Sequence, residues 1–220
     1  MGSDPEIEAL RTSLATGLPM SVSIVDYGLG NLGSVANMFK RIGSDVRRIS
    51  APEEVLASDR VLLPGVGSFD HGVKRLRETG LFEPLQEFAS SGRPLFGICL
   101  GMQLLFDSSE EGEESGLGLI PGRSRRFPTV PGLRVPHMGW NTVTQERQDA
   151  LLANADDASR YYFVHSFHVV PERTEDVLAT TPYGGDFVSM VRSGSIFGAQ
   201  FHPEKSHTFG MNILGNFASL

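Results

Sequence analysis

The chain of 220 residues has one cysteine, one tryptophan and no long apolar run. A single cysteine excludes an internal disulfide and suits a reducing compartment such as the cytoplasm. No stretch reaches the ~18 uninterrupted apolar residues of a membrane-spanning helix. Residues 1–20 lack a basic start and an apolar core, so they do not read as a secretory signal. Positive charge is scarce: 19 Lys and Arg stand against 26 Asp and Glu, a net charge of −7. That balance argues against a broad nucleic-acid footprint. What remains, 40% hydrophobic and 20% charged, can bury a full core.

Residues 21–27 read as a strand, 31–42 as a helix with Leu32, Val35, Ala36 and Phe39 at helical spacing, and 46–49 and 60–63 as further strands. Helices over 69–79 and 81–90 follow, and a fourth strand runs into Gly97. This alternation predicts a mainly parallel central sheet with helices on both faces. From residue 118 the runs shorten and gain β-branched and aromatic residues. Strands are expected over 118–127, 141–144, 162–169, 177–181, 187–191 and 196–200, with a closing helix over 206–218. The acidic stretch 107–115 reads as a solvated loop, since no His or ordered acidic spacing points to a metal. Arg123, Arg125 and Arg126 read as a solvated strand edge. The expected organisation is a single α/β domain over 21–220 with a β-rich second half. It follows an extension, 1–20, in which Met20 is an alternative start.

The lone cysteine sits in Gly97-Ile98-Cys99-Leu100-Gly101-Met102-Gln103, between an apolar strand and a helical pattern. Cysteine is often a small buried hydrophobe. Here small residues on both sides of a strand-to-helix corner are what a nucleophile elbow needs. The N-terminal end of the following helix favours thiolate over thiol. A nucleophile needs a base and a group to orient it. Gln200-Phe201-His202-Pro203-Glu204-Lys205-Ser206 offers both: a strand delivers His202 to its end, Pro203 stiffens the turn, and Glu204 follows two residues on, where it can hold the ring tautomer. Pro64-Gly65-Val66-Gly67, at the end of the third strand, can aim an N–H at a tetrahedral oxyanion, joined by that of Leu100. Gly28-Leu29-Gly30-Asn31-Leu32-Gly33 also matches a dinucleotide fingerprint. The second strand, however, carries Arg47 and Arg48 where an acidic ribose ligand belongs, so a plain tight turn competes with that reading.

Taken in order, the Gly65, Cys99 and His202 motifs resemble those of class I, triad-type glutamine amidotransferases, over about 21 to the C-terminus. Narrower segments are similar to the glutaminase subunits of imidazole glycerol phosphate synthase: Asp26-Tyr27-Gly28-Leu29-Gly30-Asn31-Leu32, Gly116-Leu117-Gly118-Leu119-Ile120-Pro121-Gly122, Pro136-His137-Met138-Gly139-Trp140-Asn141 and Phe163-Val164-His165-Ser166-Phe167-His168. The resemblance implies a flavodoxin-like α/β fold and hydrolysis of glutamine to glutamate and ammonia through a glutamyl thioester, with no metal or organic cofactor. Cys99 would be the nucleophile, His202 the acid and base, and Glu204 its orienter. Gly65, Val66 and Leu100 would serve the oxyanion. Gly67, Gln103, His165, Ser166 and Phe167 would bind glutamine; members usually carry Tyr at Phe167, so no hydroxyl contact is expected there. The resemblance also implies a heterodimer with a (β/α)8-barrel cyclase subunit, which uses the ammonia in histidine biosynthesis. Asn31, His137, Trp140, Tyr162 and Lys205 would lie in that interface. Glutaminase components of anthranilate, carbamoyl phosphate or pyridoxal phosphate synthesis are the enzyme alternatives, and a dinucleotide-sensing module the non-enzyme one.

Overall fold

A computed structural model describes residues 21–156 and 158–220. The expected extension over 1–20 lies outside the described residues. The first half alternates as its periodicity predicts: β1 (Val22–Val25), α1 (Leu32–Ile42), β2 (Val46–Ile49), α2 (Pro52–Leu56), β3 (Arg60–Gly65), α3 (Phe69–Glu78), α4 (Phe82–Ser90), β4 (Leu95–Cys99) and α5 (Leu100–Leu104). The second half contains β5 (Phe106–Ser109), β6 (Ile120–Arg126), β7 (His137–Thr142), β8 (Thr144–Gln145), β9 (Arg160–His165), β10 (Phe167–Pro171), β11 (Val177–Pro182), β12 (Asp186–Ser193) and β13 (Ile196–Ala199), closed by α6 (His207–Ala218).

One sheet runs through both halves in the order β2-β1-β3-β4-β13-β12-β10-β6-β5. The stretch β2-β1-β3-β4-β13 is parallel, and antiparallel pairing begins at β12. The inner strands β1, β3, β4 and β13 are covered on both faces, so their residues are nearly all apolar, while the edge strand β2 exposes Arg47 and Arg48. Alternate residues serve opposite faces. Val22, Ile24 and Leu62 join the cluster under α1 and α6, while Val25, Val61 and Leu63 join the cluster under α3, α4 and α5. Pairing of β13 beside β4, with Gly198 opposite Gly97, carries the chain that ends at His202 alongside the strand that ends at Cys99.

Several expectations require correction. The strand expected over 162–169 is two strands in two sheets: β9 pairs with β7, and β10 returns to the main sheet beside β6. The break falls at Ser166, where the His165 ring donates from Nδ1 to the Phe167 carbonyl at 2.8 Å, turning the chain locally. The acidic stretch is not only a solvated loop. Its first residues form β5, and carboxylates hold backbone N–H groups: Asp70 accepts from Glu114 at 3.0 Å and Glu111 accepts from Phe69 at 2.8 Å. The basic run is not a sheet edge either. β6 lies between β10 and β5, and two of its exposed arginines reach neighbours, Arg125 Nε 3.7 Å from Glu110 Oε1 and the Arg126 guanidinium 5.8 Å over the Phe167 ring. The short helix α2, opened by Pro52 with Glu54 accepting from the Ser50 and Ala51 amides, was not anticipated.

Candidate active site

Cys99 ends β4 with φ 54° and ψ −110°, a strained conformation for a residue with a side chain. Its neighbours explain how the chain tolerates it. A Cβ on Gly97 would come 2.6 Å from the Gly101 carbonyl oxygen, and one on Gly101 would overlap the Leu63 carbonyl oxygen. Only glycine at both positions lets the chain double back so tightly against β3. The residue is 7% exposed, and its sulfur accepts from Gln200 Nε2 at 3.8 Å.

His202 is fixed by its backbone before its ring is considered. Its N–H donates to the Tyr162 carbonyl at 2.9 Å, and its carbonyl accepts from Ser206 Oγ at 2.7 Å. Pro203 opens a single helical turn, Pro203–Lys205, that brings Glu204 beneath the ring. Nδ1 then meets Glu204 Oε1 at 2.9 Å, with both side chains almost fully buried. Nε2 has no nitrogen or oxygen partner, and the group that interacts with it is the Cys99 sulfur. Burial works against the imidazolium, but the Cys99 sulfur and the Glu204 carboxylate outweigh it and raise the ring above its ordinary range.

A cleft of about 370 Å³ joins these parts. Among the residues lining it are Val66, Gly67, Cys99, Leu100, Gln103, His165, Ser166, Phe167, His202 and Lys205. Gln103 Nε2 donates to the Phe167 carbonyl and to Gln200 Oε1, both at 3.1 Å, which ties α5 to β10 across the cleft floor. A fully buried amide, Gln200, thus links Cys99 to Gln103. Sequence reasoning did not assign it a role, although a polar residue inside the apolar run before His202 was a usable signal.

Residues 23–219 match the family model described as Glutamine amidotransferase class-I. The chain belongs to that family. It is 44% identical over 200 residues to Imidazole glycerol phosphate synthase subunit HisH 2 of Pseudomonas aeruginosa, covering 90% of this chain and 99% of that one. It is 46% identical over 200 residues to Imidazole glycerol phosphate synthase subunit HisH of Moorella thermoacetica, covering 90% and 94%. The amidotransferase is therefore a subunit of the HisH type. Among solved structures, PurLQS from Thermotoga maritima superposes with a TM-score of 0.71 at 19% identity, covering 92% of this chain and 99% of that one. A protein described as a glutamine amidotransferase gives 0.66 at 21%, covering 90% and 99%. These two similarities show a shared fold.

The remaining expected residues of the amidotransferase divide into two groups. Asn31 and Lys205 are exposed, Tyr162 is half-buried, and Trp140 is 47% exposed beside Met138 at 63%. Trp140 stacks on His207 at 5.3 Å, and Lys205 Nζ lies 5.5 Å over the Tyr162 ring. Gly65 and His137 differ from expectation. Gly65 ends β3 without lining the cleft, its backbone pressed against the elbow. His137, expected to face a partner, is buried between the rings of Phe163 and Tyr183. Its Nδ1 meets His165 Nε2 at 3.2 Å. Because His165 donates from Nδ1 to the Phe167 carbonyl, His137 must be the donor between the two rings. Burial lowers His137 to about 4 and His165 to about 3, so both rings are neutral near neutral pH. Among the described residues, no group of three His, Cys, Asp or Glu side chains is arranged to hold a metal ion. No described helix is long and apolar enough to cross a membrane.

Proposed function

We propose that the amidotransferase hydrolyses glutamine through Cys99, His202 and Glu204 and passes the ammonia to a (β/α)8-barrel cyclase subunit. That subunit makes imidazole glycerol phosphate and an aminoimidazole carboxamide ribonucleotide in histidine biosynthesis, in the cytoplasm. The carrying observation is the buried His202–Glu204 pair, whose Nε2, without a nitrogen or oxygen partner, belongs to the same cleft as a cysteine at a strained elbow. Cys99 Sγ attacks the side-chain amide carbon of glutamine, and the tetrahedral oxyanion is held by N–H groups of Leu100 and of the Val66–Gly67 loop. The C–N bond breaks as His202 gives its proton to the departing ammonia, leaving a glutamyl thioester. Water then adds with its proton passing to His202, and glutamate leaves as the thiolate returns. Glu204 keeps Nε2 aimed at the reacting atoms. The amide of Gln103 and the 165–167 segment line the substrate.

Two features favour a partner-dependent enzyme. Gly67 has φ 107° and nothing within 4 Å of where a Cβ would be, so no neighbour crowds the oxyanion loop at that point. The exposed Trp140 and Lys205 flank the Tyr162 ring, and Lys205 lines the cleft, so an apolar surface with a cation borders it. The test is glutamine turnover with and without the cyclase subunit and its nucleotide ligand. A rise of at least about a hundredfold is expected, the scale of one oxyanion donor brought into place. Turnover that ignores the partner would reject the switch, and turnover surviving Cys99→Ala would reject the triad.

A further inference from the structure

Tyr27 has no role in the scheme above, yet its one polar side-chain atom is aimed at the end of β3, just before the loop that borders the cleft. The ring is fully buried just after β1. Its hydroxyl donates to the Pro64 carbonyl at 2.9 Å. Its own carbonyl accepts from Arg75 Nε at 3.2 Å, and the Arg75 guanidinium is held in turn by Glu78 at 2.7 Å. The residue is therefore tethered at both ends. Burial first, and the charge of the Cys99 sulfur second, push its ionisation far up, so the hydroxyl keeps its proton and remains a donor.

The next residue along the loop is as tightly placed. A Cβ on Gly65 would fall 2.7 Å from the Tyr27 hydroxyl oxygen, 2.8 Å from the Gly101 nitrogen and 2.9 Å from Leu100 Cβ. Gly65 is also the register partner of Cys99 across β3 and β4. The backbone is thus threaded between the phenol on one side and the elbow on the other. Two residues later, at Gly67, the surroundings are open. The chain is clamped at the end of β3 and uncrowded at Gly67.

We propose that Tyr27 is a positioning residue for the glutaminase step: its hydroxyl holds the Pro64 carbonyl, so the oxyanion loop turns about a fixed hinge at Gly65. The inference rests on the oxyanion role given to Val66 and Gly67. Without the hydroxyl, the end of β3 keeps its pairing with β4 but loses its tie to the Tyr27 side, so the loop that follows starts from a looser anchor and its N–H no longer meets the developing oxyanion at a fixed distance. Attack chemistry that forms no oxyanion should not notice the change.

Tyr27→Phe keeps the buried ring and removes the donor. It is measured in the complex with the cyclase subunit and its nucleotide ligand. The expected result is a fall in kcat of about tenfold with KM within about twofold, since the lost interaction acts on the transition state. Alkylation of Cys99 by iodoacetamide, a displacement with no tetrahedral intermediate, should stay within about twofold of wild type. An unchanged kcat overturns the proposal. So does a parallel fall in kcat and alkylation, which would mean general damage to the elbow. Should Tyr27→Phe accumulate poorly, Arg75→Gln loosens the other tether; it should lower kcat about threefold with alkylation unchanged, and an unaltered kcat there counts equally against the hinge. Failure of the underlying glutaminase reading is distinct: the wild-type complex would not hydrolyse glutamine, or Cys99→Ala would retain turnover.

Discussion

The two halves of the chain bring their residues to the cleft by different physics. The first half positions Cys99 by steric exclusion. Gly97 and Gly101 let backbone pass where no side chain fits, and apolar strands fill the space around them. The second half positions its residues by hydrogen bonds and buried charge. His202 is held by Tyr162, Ser206 and Glu204, and His165 by His137 and the Phe167 carbonyl. The first arrangement is indifferent to pH and intolerant of added atoms. The second tolerates shape but depends on which atoms carry protons. A cleft assembled across such a seam gains a rigidly held thiol and a titratable partner at once.

The contrast can be broken from either side. The largest effect is expected at Gly101→Ala, whose new methyl must displace the Leu63 carbonyl. A loss of about 3 kcal/mol or more in urea unfolding follows from overpacking against backbone, with activity lost alongside. A stable, active G101A protein would show that the elbow is not sterically determined. Next comes Glu204→Gln, which keeps shape but removes the charge beneath His202. Here kcat should drop about a hundredfold or more while the unfolding midpoint moves little. An equal loss of stability and activity would place Glu204 with the packing residues instead.

The smallest effect sharpens the electrostatic side. Burial holds His137 and His165 below the ordinary 6.5, at about 4 and about 3. For groups whose folded values are depressed, the stability contribution is complete above the unfolded value of ~6.5 and is lost as pH falls toward the folded values. Wild-type stability should therefore decline between about pH 6.5 and 4. His137→Phe, which keeps a ring between Phe163 and Tyr183, should flatten part of that decline. Urea midpoints measured across this range decide it, and identical slopes in the two proteins would show that the pair does not titrate on unfolding.

What could be read from sequence follows the same division. Strand and helix alternation in the first half was legible because apolar periodicity is local, and the Gly97-x-Cys99-x-Gly101 corner because its pattern is local, although the Leu63 carbonyl that excludes a side chain at Gly101 lies far away in the chain. The spacing of His202 and Glu204 was legible for the same reason. The contacts that escaped notice all span elements far apart in the chain. Gln200 meets Gln103 across α5 and β13, His137 meets His165 across β7 and β9, and Tyr27 meets Pro64 across the sheet. His137 was misread because a histidine beside an exposed tryptophan carries no local mark of burial. β5 and α2 were missed because carboxylates, elsewhere a sign of solvated loops, here accept from backbone N–H groups.

The claim on which everything else depends is covalent catalysis at Cys99. With His202→Asn in the cyclase complex, glutamine should acylate slowly and the thioester should persist, because the base for deacylation is gone. Acid quenching followed by peptide mass spectrometry should find a glutamyl adduct on the peptide containing Cys99. Glutamine hydrolysis by the wild-type complex with no adduct on Cys99 in the variant, or with an adduct on another residue, would contradict the account.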